Sequence, residues 1–200
     1  MENANMQDHL EYKQEEWDEE YKTGVWDYLG DITEYARYAI VYGYIRKFVA
    51  DAGVLDMGCG TGLLFDMFTD SERQGYTGVD LSQEAVQIAT NKSPGHHFDC
   101  ADINEYVPQK KYDVVVFNES LHYVPNTPNA LLRYAEHLTA NGVIVSSLYS
   151  HKDTTTVAYH LIEKKVQEIE ECGLFEVLDK VSLFNHNAGL KWYIHLLKKK

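Results

Sequence analysis

The chain has 200 residues, 44% of them hydrophobic, which is enough for one domain with a single core. Its formal net charge is −13 and it has no run of interleaved Lys, Arg and aromatic residues, so nucleic acid is not an expected partner. The N-terminus has neither a basic start nor an apolar run, and no segment approaches the roughly 20 apolar residues of a membrane span, which predicts a cytoplasmic protein without a membrane partner.

The three cysteines are odd in number and share no metal-ligand or redox spacing; they are Cys59, Cys100 and Cys172. Such thiols are expected to be buried or incidental, and no metal site is predicted.

The first 30 residues combine acids with aromatic side chains. The acids predict a solvated helix face; they are Glu11, Glu15, Glu16, Asp18, Glu19 and Glu20. The aromatic residues are too numerous and too interspersed with acids for a simple core stripe; they are Trp17, Tyr21, Trp26 and Tyr28, with Tyr12 as a further member.

A helix is predicted next, behind an Asp31/Glu34 capping pattern. One face of this helix would carry Ile32, Tyr35, Ala36, Ala39, Ile40, Gly43 and Tyr44. We expect that face to pack on a sheet.

The sequence VLDMGCGTG at 54–62 places an apolar strand, an acidic turn and three alternating glycines in nine residues. Glycines at 58, 60 and 62 allow a sharp turn and a close ligand, and a helix starting near Thr61 would aim free amides at it. A nicotinamide site is less well matched, because its fingerprint needs glycine where this chain has Leu63. The alternative is an ordinary strand-to-helix turn.

The sequence YTGVDLS at 76–82 reads as a short strand that ends in a carboxylate. Asp80 lies one strand–helix–strand unit beyond the glycines, where α/β nucleotide sites place the acid that holds a ribose. In the alternative interpretation Asp80 merely caps a helix.

Helices and strands alternate through the rest of the chain. Helices are predicted at 62–69, from a Ser82 cap to Lys92, from a Thr127-Pro128 start, and at 157–172 with a stop at Gly173. Strands are predicted at 96–99, at the β-branched run 112–117, and at 143–149 after an Asn141-Gly142 turn. Segments 174–184 and 191–197 read as a closing antiparallel hairpin.

Together, the segments 54–62 and 76–82 resemble the first two motifs of class I S-adenosylmethionine-dependent methyltransferases. The resemblance covers about residues 50–150 well and the hairpin loosely. It implies a Rossmann-like, doubly wound α/β fold with a seven-stranded, mostly parallel sheet, whose last strand slips between its neighbours. A single domain of residues 1–200 is expected, with N-terminal lid helices at 1–50 and a cofactor-binding core at 51–200.

The resemblance also implies the contacts of S-adenosylmethionine and of its product, S-adenosylhomocysteine. The implied cofactor-binding residues are Asp56, Gly58, Cys59, Gly60, Gly62, Asp80, Leu81, Asp102, Ile103, Asn118 and Glu119. Asp102 would accept from the adenine amino group and Ile103 would cover the ring. Asp99 competes with Asp102, because it too can be read as the end of the third strand.

Similar methyltransferases use N-terminal helices as a lid, so the aromatic residues Trp17, Tyr21, Trp26 and Tyr28, together with Tyr123, are expected at the acceptor; mere packing is the alternative. Segment 118–124 resembles that of relatives acting on small molecules and lacks the pattern of methylases that flip a base. His122 is a candidate general base there, or else a packing histidine.

The predicted function is methyl transfer to an oxygen or nitrogen of a small-molecule acceptor, in specialised biosynthesis. The rival prediction is a non-catalytic S-adenosylmethionine-binding regulatory or partner subunit, since intact cofactor motifs fit both. Neither the acceptor nor the oligomeric state follows from the sequence.

Overall fold

A computed structural model describes residue 10, residues 12–50 and residues 53–200. Six α-helices alternate with strands: α1 Gln14–Lys22, α2 Ile32–Phe48, α3 Asp70–Arg73, α4 Gln83–Lys92, α5 Thr127–Ala135 and α6 Val157–Glu171. Short 3₁₀ turns lie at Asp27–Gly30, Phe65–Met67 and Leu121–Tyr123. No helix among these residues is both long and apolar enough to cross a bilayer.

Seven strands form one sheet: β1 Val54–Met57, β2 Tyr76–Asp80, β3 His97–Cys100, β4 Tyr112–Asn118, β5 Leu138–Ser150, β6 Phe175–Asn185 and β7 Leu190–Lys199. Their order is β3-β2-β1-β4-β5-β7-β6. Only β7 runs against its neighbours, and it lies between β5 and β6. The predicted fold class is confirmed, including the position of the last strand.

The central strands are buried on both faces, as their continuous apolar sequences predict. One core lies under α5 and α6 and takes Leu55, Val115 and Phe117; the other lies under α2 and takes alternating neighbours such as Val114 and Val116. Strand order reverses between β1 and β4, so the crevice at their carboxyl ends is the place where α/β sheets bind ligands.

The predicted helix at 62–69 is wrong. Residues 61–64 form turns, followed by the 3₁₀ turn and then by α3. Gly60 and Gly62 have φ of +53° and +82°, which a right-handed helix does not accommodate. The apolar residues instead pack inward, with the Phe65 ring 4.9 Å from that of Tyr76.

Helix α2 exists as predicted and packs on the sheet, but with a different face. Ile32 and Tyr35 are exposed, and the buried residues are Glu34, Arg37, Tyr38, Val41 and Ile45. Asp31 stands at the N-cap without a capping hydrogen bond. The predicted capping pattern of Asp31 and Glu34 is therefore wrong, because Glu34 pairs with Arg37 instead.

Smaller differences concern element starts. Ser82 caps α4 as predicted, accepting from Ala85 N, and Gly173 takes φ +72° after α6. The cap of α5 is Asn126 rather than Thr127, because its side chain accepts from Asn129 N. Strand β5 starts at Leu138, five residues early, through a pairing irregularity opposite β4. The predicted acid Glu11 lies outside the described residues.

Candidate active site

A cavity of about 940 Å³ lies at the carboxyl ends of the parallel strands. Its floor consists of the loops after β1, β2, β3 and β4, and residues of the N-terminal segment cover it. All but one of the predicted site residues line it: Trp17, Tyr21, Trp26, Tyr28, Asp56, Gly58, Cys59, Gly60, Asp80, Leu81, Asp102, Ile103, Asn118, Glu119, His122 and Tyr123, with Tyr12. The exception is Gly62, which faces Ala89 and Phe98 instead.

The glycine loop is closely surrounded, so its glycines have a steric reason. A Cβ at Gly58 (φ +85°) would lie 2.7 Å from the Ser120 Cβ, and one at Gly60 would lie 3.0 Å from the Tyr21 hydroxyl. The amides of Gly58 and Cys59 donate to Val79 O at 2.7 and 3.0 Å. These hydrogen bonds hold the first turn after β1 against β2, and the turn faces the cavity.

Asp80 is positioned by backbone amides. Gly60 N donates to its Oδ2 at 2.8 Å and Ser82 N donates to its Oδ1 at 2.9 Å. Burial raises the pKa of Asp80, although these hydrogen bonds oppose the rise. Both oxygens retain lone pairs for a ligand diol.

Asp56 is a buried carboxylate with an unfilled hydrogen-bonding capacity. Tyr76 Oη donates to its Oδ2 at 2.6 Å, whereas its Oδ1 has no partner among the described residues. Burial raises the pKa of Asp56 to about 7. An orphaned carboxylate oxygen in a cavity wall is a ready acceptor for a cationic ligand group.

The two competing acids of the third strand lie in different surroundings. Asp102 lines the cavity, and its Oδ1 accepts from Asn104 N at 2.7 Å. Asp99 does not line it and pairs with His97 and Tyr106 instead. Of the two acids, Asp102 lines the cavity and Asp99 does not.

Arg37 is a site residue that sequence reasoning missed. It is 1% exposed, its Nε and Nη2 donate to Glu34 Oε2 at 3.3 and 3.1 Å, and its Nη1 donates to Asn118 Oδ1. Its guanidinium carbon lies 4.2 Å from the Tyr38 ring centroid. The available signal was the i,i+3 pair of Glu34 and Arg37, followed by apolar residues at helical spacing.

Glu119 is the one described residue other than glycine with a positive φ, +62°. Its carboxylate accepts from Ser147 Oγ and, at 2.7 Å, from Tyr149 N. Left-handed backbone at such a residue costs free energy and persists where surrounding bonds hold it. The end of β4 thus fixes a carboxylate at the cavity in one orientation.

The N-terminal segment contributes a cluster of tilted and edge-on aromatic rings to the cavity. Trp17 lies 4.9 Å from Tyr12, 5.2 Å from Trp26 and 5.2 Å from Tyr123 between ring centroids. Helix α1 is also tied to the core, because Asp18 Oδ1 accepts from Ser82 Oγ at 2.7 Å and from Glu84 N at 3.0 Å. The sequence predicts a solvated acidic face for α1, but Asp18 on this face is bonded to α4.

His122 lies in the loop after β4 with its ring 4.1 Å from that of Tyr123. Its Nδ1 is buried without a partner among the described residues. Burial, and secondly the positive charge of Lys165, lower the pKa of His122 to about 4. The imidazole is neutral at neutral pH, so it can accept a proton but is a weak base.

Comparison with known proteins shows the family to which the chain belongs. A family model described as a methyltransferase domain matches residues 32–193. Because this match covers most of the chain, the chain belongs to that family. The predicted resemblance to class I S-adenosylmethionine-dependent methyltransferases is confirmed.

Two curated relatives show how far the similarity reaches. The chain is 26% identical over 126 residues to a malonyl-[acyl-carrier protein] O-methyltransferase of Acetivibrio thermocellus, covering 59% of this chain and 44% of that protein. It is 30% identical over 114 residues to a trans-aconitate 2-methyltransferase of Rhodopseudomonas palustris, covering 56% and 43%. The chain thus matches less than half the length of these relatives.

Solved structures share the fold at low sequence identity. The N-methyltransferase NodS from Bradyrhizobium japonicum WM9, in complex with S-adenosyl-L-homocysteine, matches with a TM-score of 0.71 at 16% identity. The match covers 87% of this chain and 91% of that chain. At this identity the likeness shows the fold alone.

Proposed function

We propose that this protein transfers the methyl group of S-adenosylmethionine to an oxygen or nitrogen of a small-molecule acceptor. The observation that carries the proposal is the unpartnered Oδ1 of buried Asp56, beside a glycine turn that a Cβ would close. A buried carboxylate is costly to a folded protein unless a ligand compensates it, so this pair of features fits a cofactor with a cationic amino-acid end.

The residues present fit the cofactor as follows. Asp56 would accept from its ammonium, Asp80 from its ribose hydroxyls and Asp102 from its adenine amino group, with Ile103 over the ring. Arg37 is the buried cation available to its carboxylate. S-adenosylmethionine supplies a methyl group activated by a sulfonium sulfur, and the chain holds its ends in fixed positions.

The enclosure supports catalysis by proximity. Trp17, Tyr21, Trp26 and Tyr28 would cover the acceptor and exclude water. Asp18 holds α1, which carries Trp17 and Tyr21, against α4. Holding two reactants in line accounts for a large part of the rate in such transfers. His122, neutral and in the same cavity, is the proposed acceptor of a proton from the attacking group.

The names of the relatives leave both atoms open as acceptors in the proposal. Two curated relatives are named as a malonyl-[acyl-carrier protein] O-methyltransferase and a trans-aconitate 2-methyltransferase, and NodS, which shows the fold alone, is an N-methyltransferase. Because these acceptors differ and the matches are partial, the cavity of this chain is the better guide to its acceptor.

Calorimetric titration with S-adenosylhomocysteine tests the proposal. We expect wild type to bind, and Asp80→Ala to weaken binding by tenfold or more, because hydrogen bonds to a charged group contribute roughly 1.5–3 kcal/mol. Asp70→Ala is the matched control, since that side chain is fully exposed. Unchanged affinity in folded Asp80→Ala would remove Asp80 from the site, and binding of NAD instead would contradict the cofactor.

The rival function, a cofactor-binding partner subunit, makes a different prediction. Such a protein would bind S-adenosylhomocysteine with the same dependence on Asp80 and would show no turnover with any acceptor. Turnover, measured as S-adenosylhomocysteine release over a panel of small amines, alcohols and acids, separates the two.

A further inference from the structure

The cavity has two halves with different charge arrangements. Over β1, β2 and β3 lie the glycine loop, Asp80 and Asp102, which the proposed function assigns to the cofactor. Over β4 and β5, on the other side of the topological switch, lie Glu119 and Tyr149, covered by Glu34 and Arg37 from α2. The family resemblance implied Glu119 as a cofactor-binding residue, but the cofactor contacts proposed above use neither glutamate.

Glu34 and Glu119 flank Arg37 closely enough for all three charges to interact. Burial alone would lower the pKa of Arg37, but the negative charges of Glu119 and Glu34 hold it above its usual value. Burial raises the pKa of Glu34, Arg37 opposes the rise and Glu119 adds to it. Glu34 is hydrogen-bonded to this guanidinium, and Glu119 follows Asn118, whose Oδ1 accepts from the same group.

Aromatic rings complete this half. Tyr28 and Tyr149 line the cavity together with Glu34 and Glu119, and Tyr149 N donates to Glu119 Oε2 at 2.7 Å. Trp26 lies 6.0 Å from Tyr28 between ring centroids. Rings around carboxylates suit a positively charged group through cation–π contact and ion pairing.

We infer that the acceptor is an amine, bound in its ammonium form between Glu34 and Glu119 under the rings of Trp26 and Tyr28. This inference rests on the proposed function, which it makes more specific. Because Arg37 also faces the carboxylate of the cofactor in the proposed function, negative charges outnumber positive ones on this side of the cavity, and an ammonium supplies a positive charge. An alcohol would supply none, and an acceptor carboxylate would add a further negative charge.

The same carboxylates favour the reaction of an amine. One N–H proton of the ammonium is transferred to the neutral imidazole of His122, which lines the same cavity. The nitrogen lone pair forms the new N–C bond while the C–S bond breaks and its electron pair stays on sulfur, giving a thioether and a methylated ammonium. Positive charge thereby moves from sulfur to nitrogen, where fixed Glu119 stabilises it.

Matched probes test the inference with the S-adenosylhomocysteine complex at neutral pH. The probes are 2-phenylethylamine, 2-phenylethanol and 3-phenylpropanoate, titrated by tryptophan fluorescence and ligand-observed NMR. We expect the amine to bind about tenfold more tightly than the alcohol, and the carboxylate to bind most weakly. An amine that does not bind, or that binds no more tightly than the alcohol, would overturn the inference.

The variant Glu119→Gln removes one negative charge and keeps the local structure. Its amide oxygen can accept from Tyr149 N and its amide nitrogen can donate to Ser147 Oγ, replacing both wild-type bonds. We expect the amine preference to fall about tenfold, with the alcohol affinity unchanged and any loss of S-adenosylhomocysteine affinity smaller than the loss of amine affinity. Glu19→Gln, an equal charge loss on the exposed side of α1, should change nothing.

Other outcomes have distinct meanings. An equal loss of S-adenosylhomocysteine affinity in Glu119→Gln would make Glu119 a cofactor residue and overturn its acceptor role. A wild-type protein that does not bind S-adenosylhomocysteine would contradict the proposed function itself. Cofactor binding with no amine preference would contradict only the amine.

Discussion

At the scale of single residues, Asp56 and His122 are both buried titratable groups, and burial acts on them in opposite senses. The carboxyl pKa rises to about 7 and the imidazole pKa falls to about 4, because burial disfavours the charged form of each. Each has a ring or carboxylate atom without a partner among the described residues. Substitution of Asp56 is therefore expected to change how stability depends on pH, and substitution of His122 is expected to change the rate.

Asp56→Asn should change the pH dependence of stability. The folded-state pKa is raised from an ordinary value of 3.8 to about 7. The unfolded state loses this proton first, so wild type loses up to about 4 kcal/mol between about pH 4 and 7. We expect the ligand-free variant to lack this decline in thermal unfolding between about pH 4 and 7, and to bind S-adenosylhomocysteine more weakly. Parallel pH profiles would refute the buried, proton-linked carboxylate.

His122→Ala should lower kcat by about a hundredfold, the lower end for general-base assistance, because a pKa near 4 makes the imidazole a weak base. Cofactor affinity should stay the same, and wild-type kcat should show no inflection near the ordinary histidine pKa of about 6.5. His160→Ala on α6, outside the cavity, is the control. A variant with lower thermal stability and normal kcat would mean a packing histidine.

At the scale of elements, α1 is held by polar contacts and rings rather than by a buried core. It has no buried residue, and its ties are the Asp18 bonds to α4 and the Trp17 ring cluster. Hydrogen bonding to Ser82 and Glu84 also holds the pKa of Asp18 below its usual range, against the opposing effect of its burial. Polar ties of this kind open locally more easily than a packed core does.

Asp18→Ala should therefore speed cofactor exchange. Removing two hydrogen bonds to a carboxylate should raise the S-adenosylhomocysteine dissociation rate by about tenfold or more in stopped-flow fluorescence. Glu19→Ala, on the same helix without a contact to α4, should have the wild-type rate. An unchanged rate in Asp18→Ala would show that α1 does not control access.

At the scale of the whole molecule, the sheet topology collects groups that are distant in sequence. Loops after four parallel strands meet at one edge, and α1 and α2 cover that edge. Both hydrophobic cores lie below it and contain no residue of α1. The hydrophobic cores therefore form without α1, whereas closure of the cavity requires it.

Deleting residues 1–28 tests this division. We expect the remaining chain to unfold cooperatively by circular dichroism, to retain measurable S-adenosylhomocysteine binding and to lose turnover, because water reaches the acceptor. Full-rate methylation by the truncated protein would remove the lid role from Trp17, Tyr21 and Trp26.

The sequence by itself determined features whose causes are local. Glycine spacing after β1, the Ser82 cap, the β-branched run of β4 and the closing hairpin each depend on a few neighbouring residues, and all appear in the structure. The position of Asp80 at the cavity followed from its place at the end of a predicted strand, and that of Asp102 followed from the family resemblance, because a shared fold brings the same strand ends together.

Only the tertiary structure decided which face of α2 is buried. Apolar residues surround that helix, so no stripe distinguishes one face, and the buried face includes a charged pair that sequence rules place outside. Burial of Arg37 is tolerable because Asn118, 81 residues away, and Glu34 accept its hydrogen bonds. Partners of that kind exist only once β4 and α2 meet, which is why the paired carboxylates of the cavity were not predictable.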